Sequence, residues 1–208
     1  MFLVARAENF ARSNKLSLIS LSPNASGTGV FTVASPNSNT DRVLTLPDET
    51  GTVDTLQRSG NVIQVVNFQT GAVATGTTVM PGDDTIPQIT EGNQYMSLAI
   101  TPTNADNILI IEVGLFAATS VASAFIIALF VGDTANALAA TSTVHNDVNG
   151  WDPGAIAYHM VAGVTTELTF RVRAGLNTSN TTTFNGRLAG GLFGGSLKSF
   201  ITITEYAA

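Results

Sequence analysis

Two histidines, several acidic side chains and one tryptophan are the residues whose types could carry chemistry in this 208-residue chain. His145, Asp147, Trp151 and Asp152 fall in the stretch VHNDVNGWD, where an imidazole between carboxylates would suit acid–base work or a cation. No H-x-x-x-H or comparable ligand pair accompanies them, so the spacing favours a polar loop over a metal centre. An aromatic flanked by Asp and Asn also suits contact with a sugar or a protein. These four residues are therefore read as an exposed contact loop, although Trp151 could equally plug the loop into a core. His159 alternates with apolar neighbours in AYHMVAG and is read as a core or interface histidine.

The remaining candidates are weaker. Asp83 and Asp84 are adjacent, which is turn chemistry and gives no evidence for the defined carboxylate separation that glycoside cleavage requires. The Gly-Gly pairs in residues 180–196 lack the G-x-x-x-x-G-K-[ST] pattern of a phosphate cradle and read as a loop, flexible or closely packed. Three matches to the glycosylation acceptor pattern, at Asn24, Asn177 and Asn180, are expected by chance where Ser and Thr are so common. Without cysteine there is no disulfide, thiolate or cysteine-ligated metal. No catalytic residue, cofactor or metal site is expected, and the chain is read as non-enzymatic.

The elements that would position such residues are strands. Charged side chains make up 12% of the chain, too few for charge-rich helical faces, and no long segment shows helical periodicity opposite Glu and Lys. The densest apolar block, Ile108 to Val131, contains a single charge, Glu112. Its uncharged part, about 18 residues, reaches the length of a spanning helix. Its flanks are Asp106 and Asp133, its middle is small and hydroxylated, and its two ends are rich in Ile, Val and Phe. It is read as two strands, residues 107–116 and 122–131, buried on both faces and joined by a short loop as a central hairpin, with at least residues 125–130 in the core. Residues 61–68, 95–100 and 200–206 also read as strands. In 167–173 Leu168, Phe170 and Val172 face one side while Glu167, Thr169, Arg171 and Arg173 face the other.

Ahead of these, residues 16–21, 30–34 and 42–47 form short apolar runs between Gly-, Pro- and Asn-rich turns. The chain thus divides into an N-terminal arm (1–60) and a knob (61–208). The expected fold is all-β, an antiparallel, jelly-roll-like β-sandwich preceded by an extended β-arm. The apolar residues of the arm, Phe2, Leu3, Phe10, Leu16, Leu18, Phe31, Leu44 and Leu46, are candidates for attachment. Residues 1–60 carry no net charge and 61–208 carry the whole −6. An acidic domain without a basic cluster excludes nucleic acid as partner. The interruption of the apolar start by Arg6 and Glu8 argues against a secretory signal and for synthesis in the cytoplasm.

The stretch GTGVFTVASPNSNTDRVLTLPDETGTVDT (residues 27–55) resembles a segment of tailed-bacteriophage fibre and other virion structural proteins, in which an LPD-x-TGT turn follows a short strand. Residues 82–113, 128–140, 181–186 and 199–206 are similar to the C-terminal domain of such proteins. The resemblance covers most of the chain, and its LPDETGT element is the specific part. It implies a homotrimer on the virion surface, with a compact β-knob and other virion proteins as partners. Two placements are open. One is a short tail-fibre-type appendage touching a host surface glycan or protein, docked on tail or baseplate. The other is a capsid decoration (cement) protein whose trimers clamp neighbouring major capsid subunits, which the short arm favours.

Overall fold

The computed structural model describes residues 58–208 together with Ser26, residues 39–41 and Val43. The attachment residues Phe2, Leu3, Phe10, Leu16, Leu18, Phe31, Leu44 and Leu46 lie outside the described residues. The chain divides into two compact units, Met1–Thr50 and Gly51–Ala208, and every strand among the described residues belongs to the second.

The described residues of that unit form twelve strands: β1 (Val62–Thr70), β2 (Ala74–Gly76), β3 (Asn93–Ile100), β4 (Ile108–Thr119), β5 (Ser123–Val131), β6 (Ala139–His145), β7 (Trp151–Val161), β8 (Leu168–Leu176), β9 (Thr182–Phe184), β10 (Gly186–Arg187), β11 (Gly190–Gly191) and β12 (Ser199–Tyr206). The eight long ones form two antiparallel sheets, β1-β12-β4-β7 and β3-β8-β5-β6. This order, with the chain crossing between sheets at β2–β3, β3–β4, β4–β5, β6–β7, β7–β8 and β8–β9, is a jelly roll. Short β2 and β9 prolong the β1 and β12 lines, β9 pairing with the last residues of β4 and β2 pairing with β9.

Period-two burial explains most of the sandwich. On β12 Ile201 and Ile203 point inward and Phe200, Thr202 and Thr204 outward; on β8 Phe170 and Val172 point inward between arginines. Leu109, Ile111, Val113 and Leu115 of β4 face Phe125, Ile127 and Leu129 of β5 within one core.

The apolar block is thus two strands, but it is not a hairpin. β4 belongs to one sheet and β5 to the other, and residues 120–122 turn the corner between them. Burial on both faces holds for all of residues 125–130 and, on β4, only from Leu115 onward. The outer face of β5 is covered by the β2–β3 connection, residues 77–92, which lays Met80 and Ile89 over Ile126, Ala128 and Phe130. Hydrogen bonds from Met80 N to Leu176 O (3.0 Å) and from Arg173 Nε to Glu91 O (2.8 Å) hold this strap down, and one from Gly92 N to Val79 O (2.9 Å) ties its two ends together. Gly175 lets it approach: a Cβ there would lie 2.5 Å from Thr78 O.

Two buried polar joints close the fold. Where β9 takes over from β12, Asn185 adopts a left-handed conformation (φ 52°) and donates through Nδ2 to Thr70 O (2.9 Å) and Ala72 O (3.2 Å). Its Oδ1 accepts from Ser199 Oγ (2.7 Å), which in turn accepts from Phe116 N (2.9 Å). At the end where β1 begins, inward-pointing Glu205 is 0% exposed. Its carboxylate accepts from Gln64 Nε2 (2.5 Å), Asn107 Nδ2 (2.6 Å), Thr103 N (2.8 Å) and Thr103 Oγ1 (2.8 Å). Burial is the largest single influence on this carboxyl and pushes its pKa up. The donors together outweigh it and hold the pKa below the ordinary glutamate value.

Candidate functional site

The contact loop expected around His145 is split by the structure. His145 ends β6 and is buried, so it is not an exposed contact residue. Its Nδ1 lies 3.2 Å from Thr119 Oγ1, its Nε2 lies 3.8 Å from Asp152 Oδ2, and its ring stands 6.0 Å from that of Phe125. The cause is register: Ser123 sits opposite His145, which places the imidazole over the end of the core. Asp147 is exposed in the β6–β7 turn, its carbonyl accepting from Gly150 N (3.0 Å). Trp151 and Asp152 are exposed, but they open strand β7 rather than sitting in a loop. His159 is exposed on the outer face of the first sheet, which excludes the core alternative for it.

Trp151 is the residue around which a surface forms. It pairs with Ala118 on β4 and points outward, 45% exposed. The Phe116 ring supports it at 5.4 Å, and the Phe193 ring meets it edge-on at 6.0 Å. Phe193 is itself 62% exposed and lies on a short 3-10 turn, Phe193–Gly195. Beside this aromatic group rises the β10–β11 hairpin, whose turn residues Leu188 (φ 52°) and Ala189 (φ 60°) are both left-handed. That is the geometry of a type I′ turn, normally filled by Asn-Gly. Leu188 is 70% exposed at its tip. Between hairpin and sheet lies a cavity of about 210 Å³. Among the described residues the five non-glycine positions with positive φ, Asn149, Asn185, Leu188, Ala189 and Phe193, all come from the β6–β7 turn or the β9–β12 excursion. The sequence signals missed here are Leu188 and Phe193, apolar residues inside the Gly-rich stretch that reads as a plain loop.

A second opening, a groove of about 420 Å³, runs between residues 83–87 and 137–140. Asp83 there closes the expected turn, accepting from Thr85 N (2.9 Å) and Thr85 Oγ1 (2.5 Å). The Thr85 hydroxyl, then its amide, hold the Asp83 carboxyl below the ordinary aspartate value. Asp84 lines the same groove. Among the described residues no group of three His, Cys, Asp or Glu side chains is placed to hold a metal ion, and no helix is long and apolar enough to cross a membrane.

The other notable surface is the outer face of the β1-β12-β4-β7 sheet. Register places Val62 and Val65 (β1), Phe200 and Tyr206 (β12), Ile108 and Ile110 (β4), and Ala155, Ala157 and Val161 (β7) on it. Val62, Val65 and Val161 are each more than half exposed. Glu112 is the one carboxylate that the pairing places on this face. Four strands at about 4.8 Å and seven residues at about 3.4 Å make it roughly 19 by 24 Å, about 450 Å². Asn67, Gln69, Thr202, Thr204 and His159 share this face, so its apolar side chains are interleaved with polar ones.

No family model matches the chain, and no curated protein matches it. Among solved structures it is similar to the CBM36-1 domain of a multidomain xylanase from the hindgut metagenome of Trinervitermes trinervoides, at 10% identity and a TM-score of 0.34, over 67% of this chain and 96% of that one. It is also similar to infectious bursal disease virus Gt strain (12% identity, TM-score 0.30, 80% of this chain and 41% of that). A third is the enzymatically active domain of bacteriophage CBA120 tailspike protein 4 (15% identity, TM-score 0.25, 58% of this chain and 18% of that). These neighbours are carbohydrate-binding, viral and tailspike β-domains, and likenesses this distant leave function to the residues themselves.

Proposed function

We propose that this chain is a non-enzymatic bacteriophage virion structural protein. It works as a homotrimer on the particle surface, attached through its N-terminal arm as a short tail-fibre-type appendage for adhesion to the host surface. The observation that supports assembly is the outer face of the β1-β12-β4-β7 sheet, where Val62, Val65 and Val161 stand open to water among Asn, Gln and Thr side chains, His159 and a single carboxylate. Such a face is stabilised by coverage, and around a threefold axis each subunit seats it against its neighbour. The polarity of the knob suits adhesion. The chain enters at Val62, at one end of the sheet, while Trp151, Phe193 and Leu188 stand at the other.

Capsid decoration is the second reading, since the same sheet face can seat against a neighbouring capsid subunit. Immunogold labelling of intact particles separates the two. A few dozen copies or fewer at the tail support the appendage, and hundreds on the head overturn it in favour of decoration. Light scattering of the full chain tests assembly. A trimer is expected at micromolar concentration, dissociated by Ile110→Asp with Val161→Asp, and a stable wild-type monomer would contradict the proposal.

A further inference from the structure

The adhesive end carries a cleft whose chemistry can be read from its walls. Ala118 lies opposite Trp151 on one side and opposite Thr183 on the other, so the three side chains form a row pointing to the same side of the sheet. The β10–β11 turn arches over Thr183, and the enclosed space is bounded by Thr119, Ser120, Asn149, Thr183, Leu188 and Ala189. Among the described residues no charged side chain lines it. Its polar side chains are the hydroxyls of Thr119, Ser120, Thr181 and Thr183 and the carboxamide of Asn149. Ser120 Oγ accepts from Thr181 N (3.0 Å) and Thr183 Oγ1 accepts from Ala189 N (3.3 Å), so each hydroxyl proton remains available to donate. The Asn149 carboxamide offers both donors and an acceptor, and Asn149 is held left-handed at φ 63° by the Gly150 N to Asp147 O turn. Strained backbone of this kind persists where the scaffold over-determines it, and it gathers at ligand sites.

We propose that this cleft binds one neutral pyranose ring of a glycan. The sugar's hydroxyls bond to Asn149, Ser120 and Thr183, and its C–H face rests against the exposed indole of Trp151. An uncharged wall set selects against sialic or uronic acids and phosphate. Its hydroxyls and carboxamide supply the donors and acceptors a polyol needs, and the apolar remainder of the wall, Ala118, Leu188 and Ala189, suits the C–H faces of a sugar ring. At about 30 Å³ per water, a 210 Å³ cavity holds about seven waters, room for a single ring rather than an oligosaccharide. The inference rests on the adhesion reading for its biological sense, but the site can be tested without it.

Trp151 is the sole tryptophan of the chain and stands opposite Ala118, which lines the cleft, so its fluorescence reports on a ring that spans from the cleft onto the indole. The full-length protein would be titrated to about 100 mM with the methyl pyranosides of glucose, galactose, mannose, rhamnose and N-acetylglucosamine. Saturation-transfer NMR on the same samples provides a reading independent of the fluorophore. At least one pyranoside is expected to shift the emission saturably. Asn149→Gly, which keeps the left-handed backbone and removes the carboxamide, is expected to weaken binding about tenfold, the equivalent of one good hydrogen bond. Trp151→Ala is expected to abolish the saturation transfer. Silence across the whole panel overturns the proposal, as does binding that neither variant alters while both remain folded by circular dichroism. Sugar binding by a protein found on the head would retain the site and remove the fibre reading. Silence from a protein found at the tail would do the reverse.

Discussion

Replacing Glu205 with glutamine removes one charge from the buried joint while conserving its shape. Every group aimed at the wild-type carboxylate is a donor: Gln64 Nε2 on one oxygen, Asn107 Nδ2 and the amide and hydroxyl of Thr103 on the other. A glutamine amide would turn its NH2 toward at least one of them. Gln64 cannot relieve this by flipping, because its Nε2 also donates to Thr101 O at 2.8 Å and the flipped oxygen would face that carbonyl. Hydrogen bonds to a charged acceptor are worth about 1.5–3 kcal/mol and neutral ones about 0.5–1.5 kcal/mol. Three weakened bonds and one broken one, less the desolvation relieved, give a loss of about 2–4 kcal/mol. For a unit of this size that lowers the melting temperature by roughly 5–15 °C. The pH dependence sharpens the test. The folded pKa of Glu205 lies below its unfolded value, so its contribution is present above about pH 4.3 and is lost as pH falls through the folded pKa. Thermal unfolding by circular dichroism at pH 7, 5 and 3 should therefore show a wide gap between wild type and Glu205→Gln that narrows in acid. Equal stability at pH 7, or a gap unchanged at pH 3, would refute the reasoning.

Three further outcomes are expected. Asn185→Ala strips donors from Thr70 O and Ala72 O, leaves Ser199 without its acceptor and puts alanine at φ 52°; urea unfolding should show a loss of about 2–4 kcal/mol. Gly175→Ala drives a methyl group to 2.5 Å from Thr78 O, so the strap over β5 should lift, with faster amide exchange in residues 77–92 and a loss of about 1–3 kcal/mol. Tyr95 stacks on Phe184 at 4.8 Å, and its buried hydroxyl has no hydrogen-bond partner among the described residues. Burial raises its pKa to about 12, so ultraviolet titration should show one of the three tyrosines ionising late. Its contribution to stability is intact below about pH 10 and lost as pH rises through 12. Tyr95→Phe should leave stability unchanged or raise it by about 1 kcal/mol.

Residues 125–130 were legible in the sequence because an unbroken apolar run of strand length can only be covered on both faces. The alternation in 168–172 likewise pointed its own side chains. What covers β5 was not legible, since the strap of residues 77–92 binds through backbone amides that any sequence carries. Adjacency suggested that β4 and β5 pair, but residues 120–122 can turn a corner between sheets as readily as they can close a hairpin. β7 escaped notice because its outer positions are Ala155 and Ala157, which blur the contrast between faces. The burial of His145 stems from register across β5 and not from its polar neighbours. Glu205 shares its side of β12 with Ile201 and Ile203, so its inward direction was readable from period two, whereas its four donors, from β1 and the β3–β4 connection, were not.

The register of β1 against β12 also decides how the knob would bear load. β1 is an outer strand running away from its entry point at Val62, paired antiparallel with β12 from Val62 opposite Tyr206 to Thr70 opposite Ser199. A pull delivered through the residues before Val62, with the knob held by its Trp151 end, acts along the strand axis. The β1–β12 bonds are then strained side by side and resist in parallel. The same pull opposed at Tyr206, beside the entry point, would peel those bonds one pair at a time, beginning at the Gln64–Glu205 clasp. Anchored at one end and gripped at the other, the domain is mechanically strong in one direction and unzips in the other.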